Sequence, residues 1–323
     1  MLDWSLEEKE LDLKFTWKIS KASTSKKINY FIHVSDGDFK ATGEVAGITT
    51  QEAHERIIPN EFKNVDFTKI QSPEDVYTMN LSSPLSFGIE SALTHLECLK
   101  KNCSVSQYFN IEEPKKIPTS FSIPIIPVDE IDSFIEKNNI KNFPACKVKV
   151  GYEHQSETCI EVAKHFKGPI RIDANEAFKS AQDVLHFLDK IKGLNIEFLE
   201  QPMPRNLSQE YKTLKPQSWV PIIADESLQN QAVDSNLAEQ FHGINIKLMK
   251  TGGYVKALEQ IQQAKNLNLK IMFGCMVETS LGIHSAFTIG QDVDWFDLDG
   301  FLFFKDEPFQ LIKLKDGYLY STK

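Results

Sequence analysis

No stretch of this 323-residue chain is apolar over anything near the ~20 residues that a membrane-crossing helix needs. Its start, MLDWSLEEKELDLKF, lacks the basic residues and apolar run of a signal peptide. The five cysteines, Cys98, Cys103, Cys146, Cys159 and Cys275, include no Cys-x-x-Cys pair and are odd in number. Reduced thiols are therefore the simplest account, and a cytoplasmic protein is expected. Positive charge is also short: 36 Lys and Arg face 45 Asp and Glu, a net charge of −9. Nucleic acid and anionic membranes select for basic faces, so neither is the expected partner. No repeat and no low-complexity segment is evident, which argues against a solenoid.

What is present is the composition of a globular protein, 41% apolar and 25% charged. The length suits one large domain or two ordinary ones. Leu11, Leu13, Phe15 and Trp17 alternate with polar residues, and INYFIHVSDGDFKATGEV reads as two strands around a DG turn. SFGIESALTHLECLKKN then gives a helical stripe through Phe87, Ile89, Leu93, Leu96 and Leu99. Residues 1–115 are expected to form an α+β domain, with the boundary in the charged, proline-bearing NIEEPKKIP.

From Ile117 onward, short apolar runs alternate with amphipathic helical stretches. The strand candidates are PTSFSIPI, ACKVKVG, PIRIDA, IEFLEQ, VPIIADE, GINIKLM, KIMFGCM and WFDLDG, with a helix pattern after each of the first seven. Eight such units predict an α/β fold of the TIM type, a (β/α) barrel with about seven helices over residues 116–303. The tail, 304–323, reads as strands around a second DG turn that could return to the N-terminal domain.

Chemistry in such barrels sits at the C-terminal strand ends. Strand three ends in Asp173, strand four in Glu200 and strand five in Asp225. Each alone could cap the helix that follows. Three in succession, on strands about 4.8 Å apart, would repel without a cation among them. Hard oxygen ligands with room for water and substrate suit Mg²⁺, with Mn²⁺ as a substitute. Lys147 and Lys149 share one face of strand two, and Lys247 lies on strand six, across the ring. A substrate held on the metal would meet one lysine on each face, the geometry for moving a proton from one side of a carbon to the other. Salt bridges to the carboxylates are the alternative role for Lys149 and Lys247. Lys149 is expected to be a base whose pKa Lys147 lowers by like-charge repulsion.

The pieces KVK, DAN, EQP, DES and IKLMKTGG, in this order, resemble the enolase superfamily, in the subgroup that includes muconate-lactonising enzymes. The resemblance covers nearly the whole chain and implies a capping domain, a barrel and a tail returning to the cap. GCMVETSLGI and DLDG resemble dipeptide epimerases within that subgroup. By that resemblance Asp297 and Asp299 bind the dipeptide's α-ammonium, and Cys275 and Met276 join the substrate-binding residues. The implied activity is that of an isomerase: Mg²⁺-dependent epimerisation of the C-terminal residue of a dipeptide by two-lysine proton transfer. Lys147 and the metal would stabilise the enediolate. o-Succinylbenzoate synthase, N-acylamino acid racemase and cycloisomerase chemistry are the alternatives. The cap segments KISKASTSKK and GEVAGITT do not match closely, so the particular dipeptide stays open. Lys18, Lys21, Lys26 and Lys27 read mainly as a solvated charge run. Association into a homo-oligomer is left open.

Overall fold

Alternation in the N-terminal segment builds an antiparallel sheet of β1 (Asp3–Ile19), β2 (Ala22–Ser35) and β3 (Lys40–Ala46), with β2 in the middle. The computed structural model describes residues 2–19, 22–46, 52–151 and 155–322. The Asp36-Gly37 turn joins β2 to β3, with Asp36 Oδ1 accepting from the backbone N–H of Phe39 at 2.9 Å. Three helices follow, α1 (Glu52–Lys63), α2 (Ser83–Lys101) and α3 (Val105–Tyr108). The apolar stripe of α2 packs Leu85, Ile89, Leu93 and Leu96 onto Ile32, Val34 and Val45 of the sheet.

After β4 (Ile117–Pro118) come eight parallel strands. They are β5 (Ser120–Ile123), β6 (Ala145–Lys149), β7 (Ile170–Asp173), β8 (Ile196–Glu200), β9 (Ile222–Ala224), β10 (Gly243–Ile246), β11 (Lys270–Gly274) and β12 (Trp295–Asp297). Each pairs with its sequence neighbours, as right-handed β-α-β crossovers dictate. The crossovers are α4 (Ile131–Lys137), α5 (Gln155–His165), α6 (Ala181–Lys190), α7 (Ser208–Leu214), α8 (Ser235–Gln240), the short α9 (Leu248–Thr251) with α10 (Tyr254–Asn266), and α11 (Ser280–Thr288). Side chains bridge the seam between the first and eighth of these strands. Ser120 Oγ donates to Asp297 Oδ1 at 2.7 Å, and the Leu298 N–H donates to Thr119 Oγ1 at 2.9 Å. Phe198, Ile223, Met272 and Trp295 form an apolar cluster in the sheet, and the Arg171 guanidinium stacks 5.5 Å from the Phe198 ring.

The tail forms β13 (Ile312–Lys315) and β14 (Tyr318–Ser321) around Asp316-Gly317. Its hairpin pairs with β4, not with the cap sheet. The segment before the hairpin reaches the cap sheet, through the Leu13–Phe304 bridge, the Lys305 N–H to Asp12 carbonyl bond and the Phe309 ring set edge-on 5.0 Å from Phe31.

Two buried carboxylates tie the cap to the barrel by capping barrel helices. Glu44 of β3 accepts from the Thr279 N–H (2.9 Å), Thr279 Oγ1 (2.7 Å) and the Gly282 N–H (3.0 Å) at the start of α11. Glu90 of α2 accepts from the Tyr254 and Val255 N–H groups at the start of α10 and from Tyr77 Oη at 2.6 Å. A side chain on Gly253 would collide with Tyr77 Oη and Glu90, which explains the second glycine of KTGG. Removing Glu90 strands two backbone donors in the interface. Glu90→Ala should cost about 2 kcal/mol in urea unfolding, the sum of a lost cap and unsatisfied buried groups. An unchanged midpoint would show that the cap docks without this bond.

Candidate active site

Parallel pairing brings the chemistry to one end of the sheet. Lys149 is in register with Asp173, and Asp173 with Glu200. Asp225 follows β9 directly, Lys247 follows β10, and Cys275 follows β11. Lys147, Lys149, Asp225, Lys247, Cys275, Met276, Asp297 and Asp299 all line one cavity of about 310 Å³, the scale of a small-molecule site. Asp173 and Glu200 lie just beneath, 1% and 0% exposed. Trp17 reaches in from β1, stacked on Phe303 at 4.5 Å, with Lys149 Nζ 5.7 Å from its ring.

Burial alone would strip charge from these groups, so their pairing decides their state. Lys147 Nζ is 2.7 Å from Glu200 Oε2, 2.7 Å from Asp297 Oδ2 and 3.2 Å from Asp173 Oδ2. Burial disfavours its ammonium, but the charges of Asp297, Glu200 and Asp173 outweigh that and hold its pKa well above the ordinary lysine value. Lys247 is likewise held up: burial opposes its charge and Asp225 and Glu200 favour it. Lys147, expected as a second cation beside Lys149, is thus enclosed by carboxylates. Asp173 and Asp225 are buried, yet Lys149 and Lys247 respectively, with Lys147 helping both, keep them below the usual carboxylate range. Glu200 is pushed up by burial, with Lys147 opposing.

The three carboxylates share one pattern. In each, one oxygen is anchored by a fixed donor. Asp173 Oδ1 accepts from the Asn175 N–H at 3.0 Å, Glu200 Oε1 from Asn245 Nδ2 at 2.8 Å, and Asp225 Oδ1 from Lys250 Nζ at 2.9 Å. Among the described residues the other oxygen meets lysine ammonium groups, and Lys247 also lies 3.0 Å from Asp225 Oδ1. Lys149 lies 2.7 Å from Asp173 Oδ2, Lys247 lies 3.0 Å from Asp225 Oδ2, and Lys147 touches Glu200 Oε2 without an aligned hydrogen bond. Among the described residues no acidic trio is drawn together tightly enough to be a ready-made metal cage, and Lys147 sits against two of the three, Asp173 and Glu200, as their cation. The donor set nonetheless fits a hard divalent ion: three carboxylates, each anchored at one oxygen and with the other toward the lysines. The flexible stem of Lys147 allows it to yield that position.

Asp297 and Asp299 differ more than their spacing suggests. β12 ends at Asp297, and Asp299 has helical backbone at the start of a 3₁₀ turn over Gly300–Phe303. Asp299 therefore lies beyond the strand that WFDLDG suggests. Asp297 is occupied by Lys147 and Ser120, which keep its pKa low against the effect of burial. Asp299 Oδ2 accepts from the Ser122 N–H at 2.6 Å. Burial and then the Asp297 charge push its carboxyl up to about 7. It is a buried carboxyl beside a second carboxylate, with no lysine among its hydrogen-bond partners in the described residues.

Sequence reading missed Asn245 and Lys250. The signals existed: Asn245 is two residues before Lys247 in extended chain and so shares its face. Lys250 is three after it on a helical turn. Gly274 makes room for both neighbours, since a Cβ there would lie 2.5 Å from Asn245 Oδ1 and 2.9 Å from Lys247 Cε. In the lysine run of the cap, Lys18 and Lys26 are exposed as expected. Lys27 is only 2% exposed, because alternation along β2 puts it on the face of buried Asn29 and Phe31. Lys21, and residues 47–50 of GEVAGITT, lie outside the described residues.

A parallel (β/α) barrel beneath an antiparallel cap, with carboxylates and lysines at its strand ends, is the architecture of the enolase superfamily. The chain belongs to the enolase C-terminal domain-like family, which it matches over residues 130–319. It is 30% identical to the L-Ala-D/L-amino acid epimerase of a Maribacter species over 312 residues, 93% of this chain and 90% of that one. It is 27% identical to the L-Ala-D/L-amino acid epimerase of Flavobacterium johnsoniae, over 98% of this chain and 96% of the other. Its fold superposes with a TM-score of 0.87 on the dipeptide epimerase of Enterococcus faecalis complexed with Mg and the dipeptide L-Leu-L-Tyr, at 20% identity and over 99% and 96% of the two chains. Among the described residues no helix is long and apolar enough to cross a membrane.

Proposed function

We propose that this protein is a dipeptide epimerase that inverts the α-carbon of the C-terminal residue, using Lys149 and Lys247 as opposed acid–base groups. The carrying observation is the pairing of two strand-end lysines with a carboxylate seat, Asp299, that has no cation of its own among its hydrogen bonds. The near full-length similarity to two epimerases supports the reading. Asp173, Glu200 and Asp225 would hold Mg²⁺ by their lysine-facing oxygens. The bound ion would act as a Lewis acid on the substrate carboxylate and lower the cost of the second negative charge it acquires.

The chain's own groups do the rest. With the carboxylate at strands β7 to β9, the α-carbon lies between β6 and β10. One lysine, as the free amine, removes the α-proton, and the opposite lysine, as ammonium, returns a proton to the other face. Lys147, held charged, donates to the enediolate oxygens. Asp299, helped by Asp297, receives the α-ammonium of the first residue. Trp17 and Phe303 wall the Lys149 side against water.

The test is a screen of mixed L,L-dipeptides in D₂O with and without Mg²⁺, read by mass spectrometry. A one-dalton gain confined to the C-terminal residue, dependent on the ion, is expected. Loss of water from a substrate lacking an ammonium, with no exchange into any dipeptide, would move the reading to o-succinylbenzoate synthase. Glu200→Gln should weaken Mg²⁺ binding by about 10-fold or more, as a charged ligand becomes neutral, while circular dichroism stays that of the folded barrel. Wild-type Mg²⁺ affinity in that variant would remove Glu200 from the ligand set.

A further inference from the structure

Lys250 is almost wholly buried, 7% exposed, and lines the same cavity as the two opposed lysines. Burying an ammonium is costly unless its protons find acceptors. Among the described residues both acceptors of Lys250 come from a single residue. Its Nζ donates to the Asp225 carbonyl at 3.1 Å and to Asp225 Oδ1 at 2.9 Å. A grip on backbone and carboxylate together fixes the rotation of the side chain between them, which neither bond does alone.

The turn that carries Lys250 is itself fixed. Its N–H and that of Thr251 both donate to the Lys247 carbonyl, at 2.8 and 2.9 Å. Thr251 Oγ1 donates to Leu248 and Gly253 carbonyls. Gly252 closes the turn in the left-handed region at φ +86°, and its carbonyl accepts from Ser86 Oγ of the cap at 2.8 Å. The ammonium is thus presented from a rigid support.

We propose that Lys250 is a positioning residue that orients Asp225 as a ligand of a divalent cation. It takes Oδ1 and leaves Oδ2 toward the cavity, as the Asn175 N–H does for Asp173 and Asn245 does for Glu200. Without it, Asp225 would be left with Lys247, which lies 3.0 Å from both of its oxygens and so does not distinguish them. The inference rests on the proposed use of Asp225 as a metal ligand. It carries a definite sign, because a lysine acting only as a nearby positive charge would repel the ion, and its removal would tighten binding.

Isothermal titration of the purified full-length chain with Mg²⁺ separates these cases. Lys250→Met should weaken binding at least about tenfold, the usual cost of losing a partner that orients a metal ligand. Lys250→Arg, whose fork can span the same two oxygens, should recover most of that loss. Lys250→Met binding as tightly as wild type, or more tightly, overturns the proposal. Should Lys250→Met fail to fold, Lys250→Gln is judged by the same criterion. A wild-type chain that binds no Mg²⁺ overturns both this inference and the metal reading beneath it, whereas normal wild-type binding with an indifferent variant overturns this inference alone.

Discussion

Lys149→Ala and Lys247→Ala should each lower epimerisation by about 10³-fold, within the range for losing a general acid–base group. Their residual activities should differ in kind. Each variant retains one lysine and can still remove the α-proton from the stereoisomer that presents it to that side. Each should therefore exchange the α-proton of one isomer with D₂O, and the two variants should prefer opposite isomers. The environments of the two lysines support this asymmetry. Lys149 bonds Asp173 and Asn175 beneath Trp17, whereas Lys247 bonds Asp225 on the far side of the site. The check is proton NMR on both diastereomers with each variant. A variant that epimerises at the wild-type rate removes its lysine from the mechanism.

Asp299→Asn should lower kcat/KM for free dipeptides by at least roughly 1.5 kcal/mol, about tenfold, as for a hydrogen bond to a charged group. In the proposed pose the substrate carboxylate would lie toward β8 and the ammonium toward Asp299 after β12, and a dipeptide would bridge the two. An added peptide unit supplies about 3.5 Å of reach. N-acetylated dipeptides, lacking the ammonium, should be poor substrates of the wild type. pH adds a second readout. Burial and Asp297 raise the Asp299 carboxyl to about 7, so it is neutral below that pH and ionised above it. Binding a cation requires the ionised form, so wild-type kcat/KM should rise as pH increases through about 7, and the Asn variant should lack that limb. The same shift has a stability cost of fixed sign. The folded state holds this proton more tightly than the unfolded chain, so stability falls as pH rises from about 4. Equal turnover of free and N-acetylated dipeptides would end the ammonium assignment.

The barrel was legible because burial and alternation speak in the same residues. PIRIDA and IEFLEQ are short runs with apolar residues at their centres, and the strand within each ends at its carboxylate, Asp173 or Glu200. The lysines were legible for a related reason: KVK places two charges on one face of a strand that is otherwise apolar. What pattern alone could not give is which charges meet. Lys147 looked like a neighbour of Lys149 that would repel it, yet the ring closure brings Asp297, 150 residues away, to its ammonium. Asp299 looked like a strand residue, but the chain turns helical after Asp297 and re-aims it. Lys250 and Asn245 were hidden because their partners, Asp225 and Glu200, lie on other strands. The tail's DG hairpin was readable from its turn, while its partner, the two-residue β4, is too short to carry a pattern. Lys27 resembled its exposed neighbours in composition and differs only by register.

The most direct measurement of two opposed acid–base groups is the isotopic content of the first product. The wild-type enzyme, loaded with Mg²⁺, is given a single accepted L,L-dipeptide in D₂O, and proton NMR follows the C-terminal α-position of substrate and product from the earliest turnovers. The lysine that returns the proton faces away from the one that removed it and has equilibrated with solvent. The account therefore predicts that product is deuterated from the start, while the remaining substrate still carries its α-proton. Early product that retains the substrate's own α-proton would mean one group works both faces, and would contradict the assignment of Lys149 and Lys247 as an opposed pair.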